Sequence, residues 1–161
     1  MEKTPLVSII VPVYNDENTI ELCLRTLIRQ TYPVKEVIVI NDGSTDNTAN
    51  VLSRMAKEHP SLNVISTRHG GVTKARNLGL KHAKGEIVFF GEGDAVYSTN
   101  YLTKAVELLM RNPRLGGVCV TGAPWVVKST LVTECIDIEN RIKHRLLKAG
   151  KMQPYYAWVF R

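Results

Sequence analysis

The stretch VSIIVPVYNDENTIELCLRTLIRQTYPVKEVIVINDGSTDN, residues 7–47, contains two apolar runs that flank one amphipathic segment. The first run, Val7–Val13, is rich in β-branched residues, and the second, Val37–Ile40, is apolar throughout, as in buried parallel strands. Between them, apolar residues recur with the spacing of one helix face, at Ile20, Cys23, Leu24, Leu27 and Ile28. The stretch therefore predicts a strand–helix–strand crossover.

Polar residues follow each apolar run at once, YNDE at positions 14–17 and NDGS at positions 41–44. In an open α/β sheet, ligands bind outside the carboxyl ends of the strands, so these two clusters are expected to hold a ligand. Asn15 or Asp16 is predicted to cap the first helix, with Glu17 in its first turn.

The rest of the chain continues to alternate between the two kinds of pattern. A second helix is predicted to end at about residue 58, and further helices are predicted over 72–83, 100–111 and 134–148. Further strands are predicted over 63–66, 86–90, 117–121 and 155–160. Alternation with short connections is typical of an α/β fold, so we predict a mostly parallel sheet with helices on both faces. A chain of 161 residues is expected to form one domain.

The composition excludes several classes of protein. A net charge of +6 suits anionic ligands, but the chain has neither zinc-finger spacing nor an aromatic-rich basic motif, so nucleic-acid binding is not expected. The three cysteines are far apart in the sequence, which argues against a disulfide framework and for a reducing compartment. No apolar run approaches the length of a membrane span. The expected location is cytoplasmic, and peripheral association with a membrane surface is left open.

A further acidic cluster, Glu92-Gly93-Asp94, follows the predicted strand 86–90. Two carboxylates at this spacing can share a hard divalent cation, Mg²⁺ or Mn²⁺. Phosphate oxygens often complete the coordination shell of such a cation. Lys74 and Arg76 can balance the remaining negative charge, while Tyr14 can stack on a base and Asp42 can accept hydrogen bonds from one. Together these groups suit a nucleoside diphosphate.

The amino-acid sequences of the motifs are more specific than the spacing between them. The matching segments are SIIVPVYN (residues 8–15), QTYP (30–33), EVIVINDGSTD (36–46), GV (71–72), ARNLGL (75–80) and AKGE (83–86). In this order they resemble the N-terminal, donor-binding portion of family-2 glycosyltransferases with the GT-A fold, over roughly residues 5–122.

The resemblance implies transfer of a sugar from a UDP- or GDP-sugar to an acceptor hydroxyl, with inversion and with help from Mn²⁺ or Mg²⁺. It also implies the donor-binding residues Pro12, Tyr14, Asn15, Glu17, Asp42, Lys74, Arg76 and Gly93. Asp94 and Glu92 match the family's metal-binding DxD position. The acceptor, a glycan, a lipid or a protein, stays open, as does a homodimer.

The chain departs from the family pattern at three places. Asn41 replaces the first of two paired aspartates, and residues 92–95 read EGDA where the family usually has DADD. The later general base has no match, because Glu134, Asp137 and Glu139 have the spacing of a helix surface. Catalytic residues are therefore unassigned. Residues 1–122 are expected to form the donor-binding core, and residues 123–161 an incomplete acceptor side of a C-terminally truncated domain.

Three alternatives follow. A catalytically incomplete nucleotide-sugar-binding module or subunit fits the missing base. A nucleotidyltransferase is weaker, because no Gly-rich phosphate loop follows the first strand, and a dinucleotide dehydrogenase lacks the expected GxGxxG. His69 is interpreted as a surface loop residue rather than a ligand.

Overall fold

A computed structural model describes residues 4–118 and 159–160 of the chain. Strands and helices alternate through most of this part. The strands are β1 (Val7–Val13), β2 (Val34–Asn41), β3 (Leu62–Ser66), β4 (Ile87–Phe90), β5 (Gly117–Val118) and β6 (Val159–Phe160). The helices are α1 (Ile20–Ile28), α2 (Thr48–Glu58), α3 (Val72–His82) and α4 (Tyr101–Arg111).

The strands form one sheet in the order β3-β2-β1-β4-β6-β5. Strands β3, β2, β1 and β4 are parallel, and β6 runs antiparallel to both of its neighbours. The predicted mostly parallel α/β sheet is therefore confirmed. The predicted helix 134–148 lies outside the described residues, as do most of the predicted strand 155–160 and the carboxylates Glu134, Asp137 and Glu139. The division at residue 122 stays a prediction.

Helices cover both faces of the sheet because the strand side chains alternate between two apolar clusters. Ile9 and Val11 of β1 pack in the larger cluster with the apolar faces of α1, α2 and α4. Ile10 packs in the smaller cluster with Ala75 of α3. Every residue of β1 except Pro12 is buried, which explains why its sequence is apolar apart from Ser8.

None of the helices in the described part of the chain combines the length and the apolar composition that crossing a membrane requires.

Candidate functional site

The three predicted polar clusters follow three strands that are neighbours in the sheet. β1 lies between β2 and β4, and all three run in the same direction. Val13, the last residue of β1, pairs with Asn41, the last residue of β2. Ile10 pairs with Phe90 at the end of β4. The polar residues after each strand therefore meet at the carboxyl edge of the sheet.

Asn15 joins the loops that follow β1 and β2. Its backbone has a φ of 56°, in the left-handed region that Asn tolerates better than most residues. Its backbone N–H donates to Ser44 Oγ over 3.1 Å, and its side-chain Oδ1 accepts from the Thr45 N–H over 2.8 Å. Asn15 is thus held by the neighbouring loop, which fixes the direction of Tyr14 beside it.

The predicted start of the first helix is wrong. α1 begins only at Ile20, after Thr19, and neither Asn15 nor Asp16 caps it with a side chain. Instead, the Asp16 carbonyl accepts from the N–H groups of Thr19 and Ile20, both over 3.0 Å. The loop takes this path because the side chains of Asn15 and Glu17 accept from backbone N–H groups of the loop after β2.

Glu17 precedes α1, which begins at Ile20, so it is not in the first turn of that helix. It makes one of the links between the two loops. Its Oε2 accepts from the Asn47 N–H over 2.8 Å, and its own N–H donates to Asp46 Oδ2 over 3.2 Å. The other Asp46 oxygen accepts from the Thr48 N–H at the start of α2, over 2.9 Å. Glu17 therefore connects the loop after β1 to the loop after β2.

Asp42 is buried beneath the loop that leads into α3. Its Oδ1 accepts from the Gly70 N–H over 2.9 Å, and its Oδ2 accepts from the Gly71 N–H over 2.8 Å. The carboxylate also lies at the amino end of α3, where the helix dipole favours a negative charge. Asp42 thus ties the end of β2 to the start of α3.

Tyr14 and His69 form an aromatic pair above Asp42. Their ring centroids are 4.2 Å apart with an interplanar angle of 34°, and Tyr14 is 44% exposed. His69 Nδ1 lies 3.1 Å from Asp42 Oδ2. Beneath the rings, the backbones of Gly43 and His69 are in close contact. Gly43 has a φ of +73°, and a Cβ added to it would lie 2.6 Å from the backbone nitrogen of His69. This pair presents an exposed aromatic surface at the sheet edge.

The loop after β4 carries the predicted metal-binding carboxylates, and its first two residues are held by hydrogen bonds. The Gly91 N–H donates to the Ile10 carbonyl over 2.8 Å, and the Glu92 N–H donates to Tyr97 Oη over 2.8 Å. Beneath it, Cys23 Sγ lies 3.1 Å from the Glu92 carbonyl oxygen. The backbone that presents Glu92 and Asp94 is therefore fixed by the sheet and α1.

The carboxylates at this edge repel one another. Burial, and then the negative charge of Asp94, raise the pKa of Glu92, while Arg76 lowers it. Burial also raises the pKa of Asp16 to about 6, against the lowering effect of its bond from the Tyr14 N–H, and Asp94 and Asp46 add to the increase. Asp16 contacts the same loop, because a Cβ on Gly93 would lie 2.7 Å from Asp16 Oδ2. The site thus concentrates negative charge around Gly93.

The donor groups fit a divalent cation in their chemistry, since carboxylate oxygens are hard ligands and their repulsion is what a cation relieves. Within residues 4–118, no group of three or more His, Cys, Asp or Glu side chains is arranged to hold a metal ion. Glu92 and Asp94 would therefore hold a cation together with water and phosphate oxygens, as is common for Mg²⁺.

The basic residues of α3 lie at different distances from this charge. Arg76 is close enough to lower the pKa of Glu92, and its Cζ lies 5.6 Å from the centroid of the Phe90 ring. Lys74 is exposed, and its side chain lies against the loop, since a Cβ added to Gly70 would be 2.9 Å from Lys74 Cδ. Pro12 is half-buried in β1, opposite Ile40. Arg76 therefore links α3 to the carboxylate loop, whereas Lys74 covers the loop before the helix.

Two residues of this edge were missed at the level of sequence. His69 was interpreted as a surface loop residue, and its side chain is indeed 57% exposed, but it contacts both Tyr14 and Asp42. Asp16 was considered only as a helix cap, yet it lies against Gly93. The signal available for His69 was its place directly before Gly70-Gly71, at the entrance to a helix.

Comparisons with known proteins identify the relatives of this chain. A sequence model of the family described as Glycosyl transferase family 2 matches residues 8–152. EpsJ of Bacillus subtilis (strain 168), an uncharacterized glycosyltransferase, is 40% identical over 108 residues, 67% of this chain and 31% of EpsJ. The poly-beta-1,6-N-acetyl-D-glucosamine synthase of Staphylococcus epidermidis is 34% identical over 134 residues, 83% of this chain and 32% of the synthase. The chain thus spans about a third of the length of these two curated relatives.

Solved structures of two glycosyltransferase-family relatives also align with this chain. The mannosyltransferase PcManGT from Pyrobaculum calidifontis, in complex with GDP-Man and Mn²⁺, aligns with a TM-score of 0.68 and 36% identity over 74% of this chain and 36% of its own. S. aureus TarS 1-349 in complex with UDP-GlcNAc aligns with a TM-score of 0.58 and 34% identity over 65% of this chain and 31% of its own.

Proposed function

The chain belongs to glycosyl transferase family 2, and on that basis we propose that it transfers a sugar from a nucleotide-diphosphate sugar, UDP- or GDP-linked, to an acceptor hydroxyl. The observation that carries the proposal is the meeting of an exposed aromatic pair and a carboxylate loop at one edge of the sheet. Relatives solved with GDP-Man and with UDP-GlcNAc support the class of donor.

We assign the nucleoside to the side of the site formed by the first two polar loops. Tyr14 offers an exposed ring for a base, and the bonds of Asn15 to the loop after β2 hold that ring in position. Pro12, at the end of β1, and Glu17, which bridges to Asn47, complete the loop that carries Tyr14. These residues bind and orient the nucleoside before any chemistry takes place.

We assign the diphosphate to the region between the carboxylate loop and α3. A divalent cation held by Glu92 and Asp94 would supply charge neutralisation for the leaving nucleoside diphosphate. Arg76, beside Glu92, adds one positive charge, and exposed Lys74 adds another. Gly93 contributes its lack of a side chain, because Asp16 occupies the space beside it. The general base that would deprotonate the acceptor is not among the residues assigned, and inversion follows only from the family.

The donor site is tested by measuring the melting temperature of the chain with UDP, GDP, UDP-GlcNAc and GDP-Man, each with and without Mn²⁺. A ligand that binds only the native state raises the melting temperature. We expect a nucleotide-dependent increase that Mn²⁺ enlarges. No increase with any of these ligands would contradict the proposed donor site.

The metal assignment is tested with Asp94→Ala and, as a matched control, Glu107→Ala, which removes an exposed carboxylate from α4. Asp94→Ala is expected to abolish the Mn²⁺-dependent part of the increase, and Glu107→Ala to retain it. An equal loss in both variants would refute the assignment. Release of nucleoside diphosphate in the presence of an acceptor then separates an enzyme from a module that binds the donor without turnover.

A further inference from the structure

Strand β3 is the outer strand of the sheet in the part of the chain that the structure describes, and its one neighbour there is β2. The Ser61 carbonyl accepts from the Val37 N–H. Six residues later, the Thr67 N–H donates to the Asn41 carbonyl. Backbone groups of successive strand residues point to opposite sides, so the odd-numbered residues face β2 and Val64 directs its N–H and carbonyl outward.

The sequence of β3 does not oppose the addition of a further strand. The strand, Leu62–Ser66, reads LNVIS and contains neither a charged residue nor a proline, the residues that commonly protect exposed edges. Asn63 and Ser66 are exposed, and β-branched Val64 and Ile65 are half-buried. The outer edge of β3 therefore suits pairing with another extended segment.

An open cavity of about 610 Å³ lies beside this edge, between residues 62–65 of β3 and residues 81–84 at the end of α3. Its apolar part includes Ile65 and Ala83, which pack with Ile38 in the smaller of the two apolar clusters. Successive side chains of a strand point to opposite faces of the sheet. A strand added to β3 would therefore direct every second side chain towards the cavity.

The rim of the cavity is basic. Lys81, His82 and Lys84 line it and are exposed, and neither lysine forms an ion pair within the described residues. Among the described lining residues the one carboxylate is Glu36, which is buried and accepts from the Lys84 N–H and Ser8 Oγ. The positive charge at the rim is therefore left for a carboxylate from elsewhere.

The same charge argues against a second copy of this chain as the occupant. Two copies paired antiparallel through β3 would form one continuous sheet around a two-fold axis. Lys81 and Lys84 of both copies would then lie on the same face of that sheet, where like charges repel. An acidic segment gains attraction from the same two residues.

We propose that the outer edge of β3 and the adjacent cavity bind an extended acidic segment of a partner protein, which joins the sheet as a further strand. Backbone hydrogen bonds to Val64 hold the segment, and Asp or Glu side chains at every second position meet Lys81 and Lys84. The segment binds without any nucleotide, so this interaction does not depend on the proposed sugar transfer.

The test measures fluorescence polarisation of labelled peptides titrated with the full chain. The peptide TEVEVEVT carries three carboxylates, TKVKVKVT reverses the charges, and TEVEPEVT keeps the three carboxylates but loses one backbone N–H to proline. The protein variant combines Lys81→Glu with Lys84→Glu. Its control combines Lys104→Glu with Arg114→Glu, an equal change of charge at exposed positions on and after α4. Melting temperatures establish that both variants are folded.

We expect TEVEVEVT to bind about tenfold more tightly than either other peptide, and more weakly as salt rises. The change at Lys81 and Lys84 should lower that affinity by about tenfold, because attraction becomes repulsion, and the control should retain it. Equal binding of TEVEVEVT and TEVEPEVT would show attraction without strand pairing and overturn the proposal. So would an absence of binding, an equal loss in both variants, or a dimer of the chain, seen by sedimentation, that excludes the peptide.

Discussion

The two edges of the sheet each bury a carboxylate that binds the backbone of a loop. At the amino edge, Glu36 is 6% exposed and accepts from the Lys84 N–H and from Ser8 Oγ, both over 2.8 Å. At the carboxyl edge, Asp42 is 3% exposed and accepts from the Gly70 and Gly71 N–H groups. The local task is the same, because each carboxylate accepts hydrogen bonds from the backbone amide groups of a loop.

The difference lies in what surrounds the two carboxylates. The network of Glu36 is closed, since Ser8 Oγ also accepts from the N–H groups of Gly85 and Lys84. An open cavity of about 610 Å³ borders it, but the Glu36 oxygen that faces Lys84 is already bonded. Asp42, in contrast, contacts His69, which is exposed together with Tyr14. The proposed donor site therefore lies beside the carboxylate whose partner side chains are exposed, and not beside the carboxylate that borders the cavity.

The largest effect on stability is expected at the amino edge, from Glu36→Ala. The change leaves the Lys84 N–H and the Ser8 hydroxyl with one acceptor fewer inside a closed network, so the free energy of unfolding should fall by about 3 kcal/mol. Urea unfolding measures this loss. The affinity of the folded variant for the nucleotide that the unaltered chain binds should be unchanged. A weaker affinity would show that the two edges are not independent.

Asp42→Ala should have the opposite effect, a smaller loss of stability and a larger loss of nucleotide affinity than Glu36→Ala. The loop that it releases is half-exposed, so water can replace the lost acceptor and the free energy of unfolding should fall by only about 1–2 kcal/mol. The nucleotide affinity should fall by about tenfold or more, because the loop before α3 is no longer held. The same two measurements apply as for Glu36→Ala. A large loss of stability with intact affinity would make Asp42 the equivalent of Glu36.

The sequence was sufficient for the elements that form the sheet. The apolar run of β1 and the periodic face of α1 are local patterns, and the structure contains both elements with those side chains buried. The meeting of three polar loops was also predictable, because the carboxyl ends of parallel strands share one edge. The start of α1 was not, because Asp16 and Glu17 bond to Thr48 and Asn47, about thirty residues away, and such contacts leave no periodic signal.

His69 and Gly93 were harder for the same reason. The role of His69 depends on a contact with Tyr14, which belongs to a loop 55 residues earlier in the chain, and on a carboxylate buried beneath both. Gly93 was assigned to donor binding from the family pattern alone, and the sequence did not reveal that a Cβ there would lie 2.7 Å from Asp16 Oδ2. Loop-to-loop contacts of this kind follow from the fold and cannot be deduced from either loop alone.

Gly93→Ala sharpens the comparison within the carboxyl edge. The new Cβ would lie 2.7 Å from Asp16 Oδ2, so the carboxylate must move, and we expect a loss of about 1 kcal/mol together with a weaker Mn²⁺-dependent increase in melting temperature. Gly116→Ala is the matched control, because nothing lies within 4 Å of its added Cβ. If both variants behave alike, the close approach of Asp16 to Gly93 has no energetic weight.

The smallest effect is expected from Asp16→Asn, and its sign is opposite. The pKa of Asp16 is raised from 3.8 to about 6 in the folded chain, so the native state binds more protons than the unfolded state between these pH values. The contribution of Asp16 to stability is therefore greatest at low pH and is lost as the pH rises to about 6. Because the side chain is only half-buried, we expect Asp16→Asn to stabilise the metal-free chain at pH 7.5 by about 1 kcal/mol.

This gain should vanish near pH 4, where the aspartate of the unaltered chain is itself protonated, and thermal unfolding in EDTA at the two pH values measures it. Asn keeps an acceptor for the Tyr14 N–H, so a difference reports the charge and not the loss of a bond. Mn²⁺ should reduce the difference, since a cation beside Asp94 relieves the same repulsion. Equal stability of the two chains at both pH values would mean that the carboxyl edge stores no electrostatic strain, and that its only distinction from the amino edge is exposure.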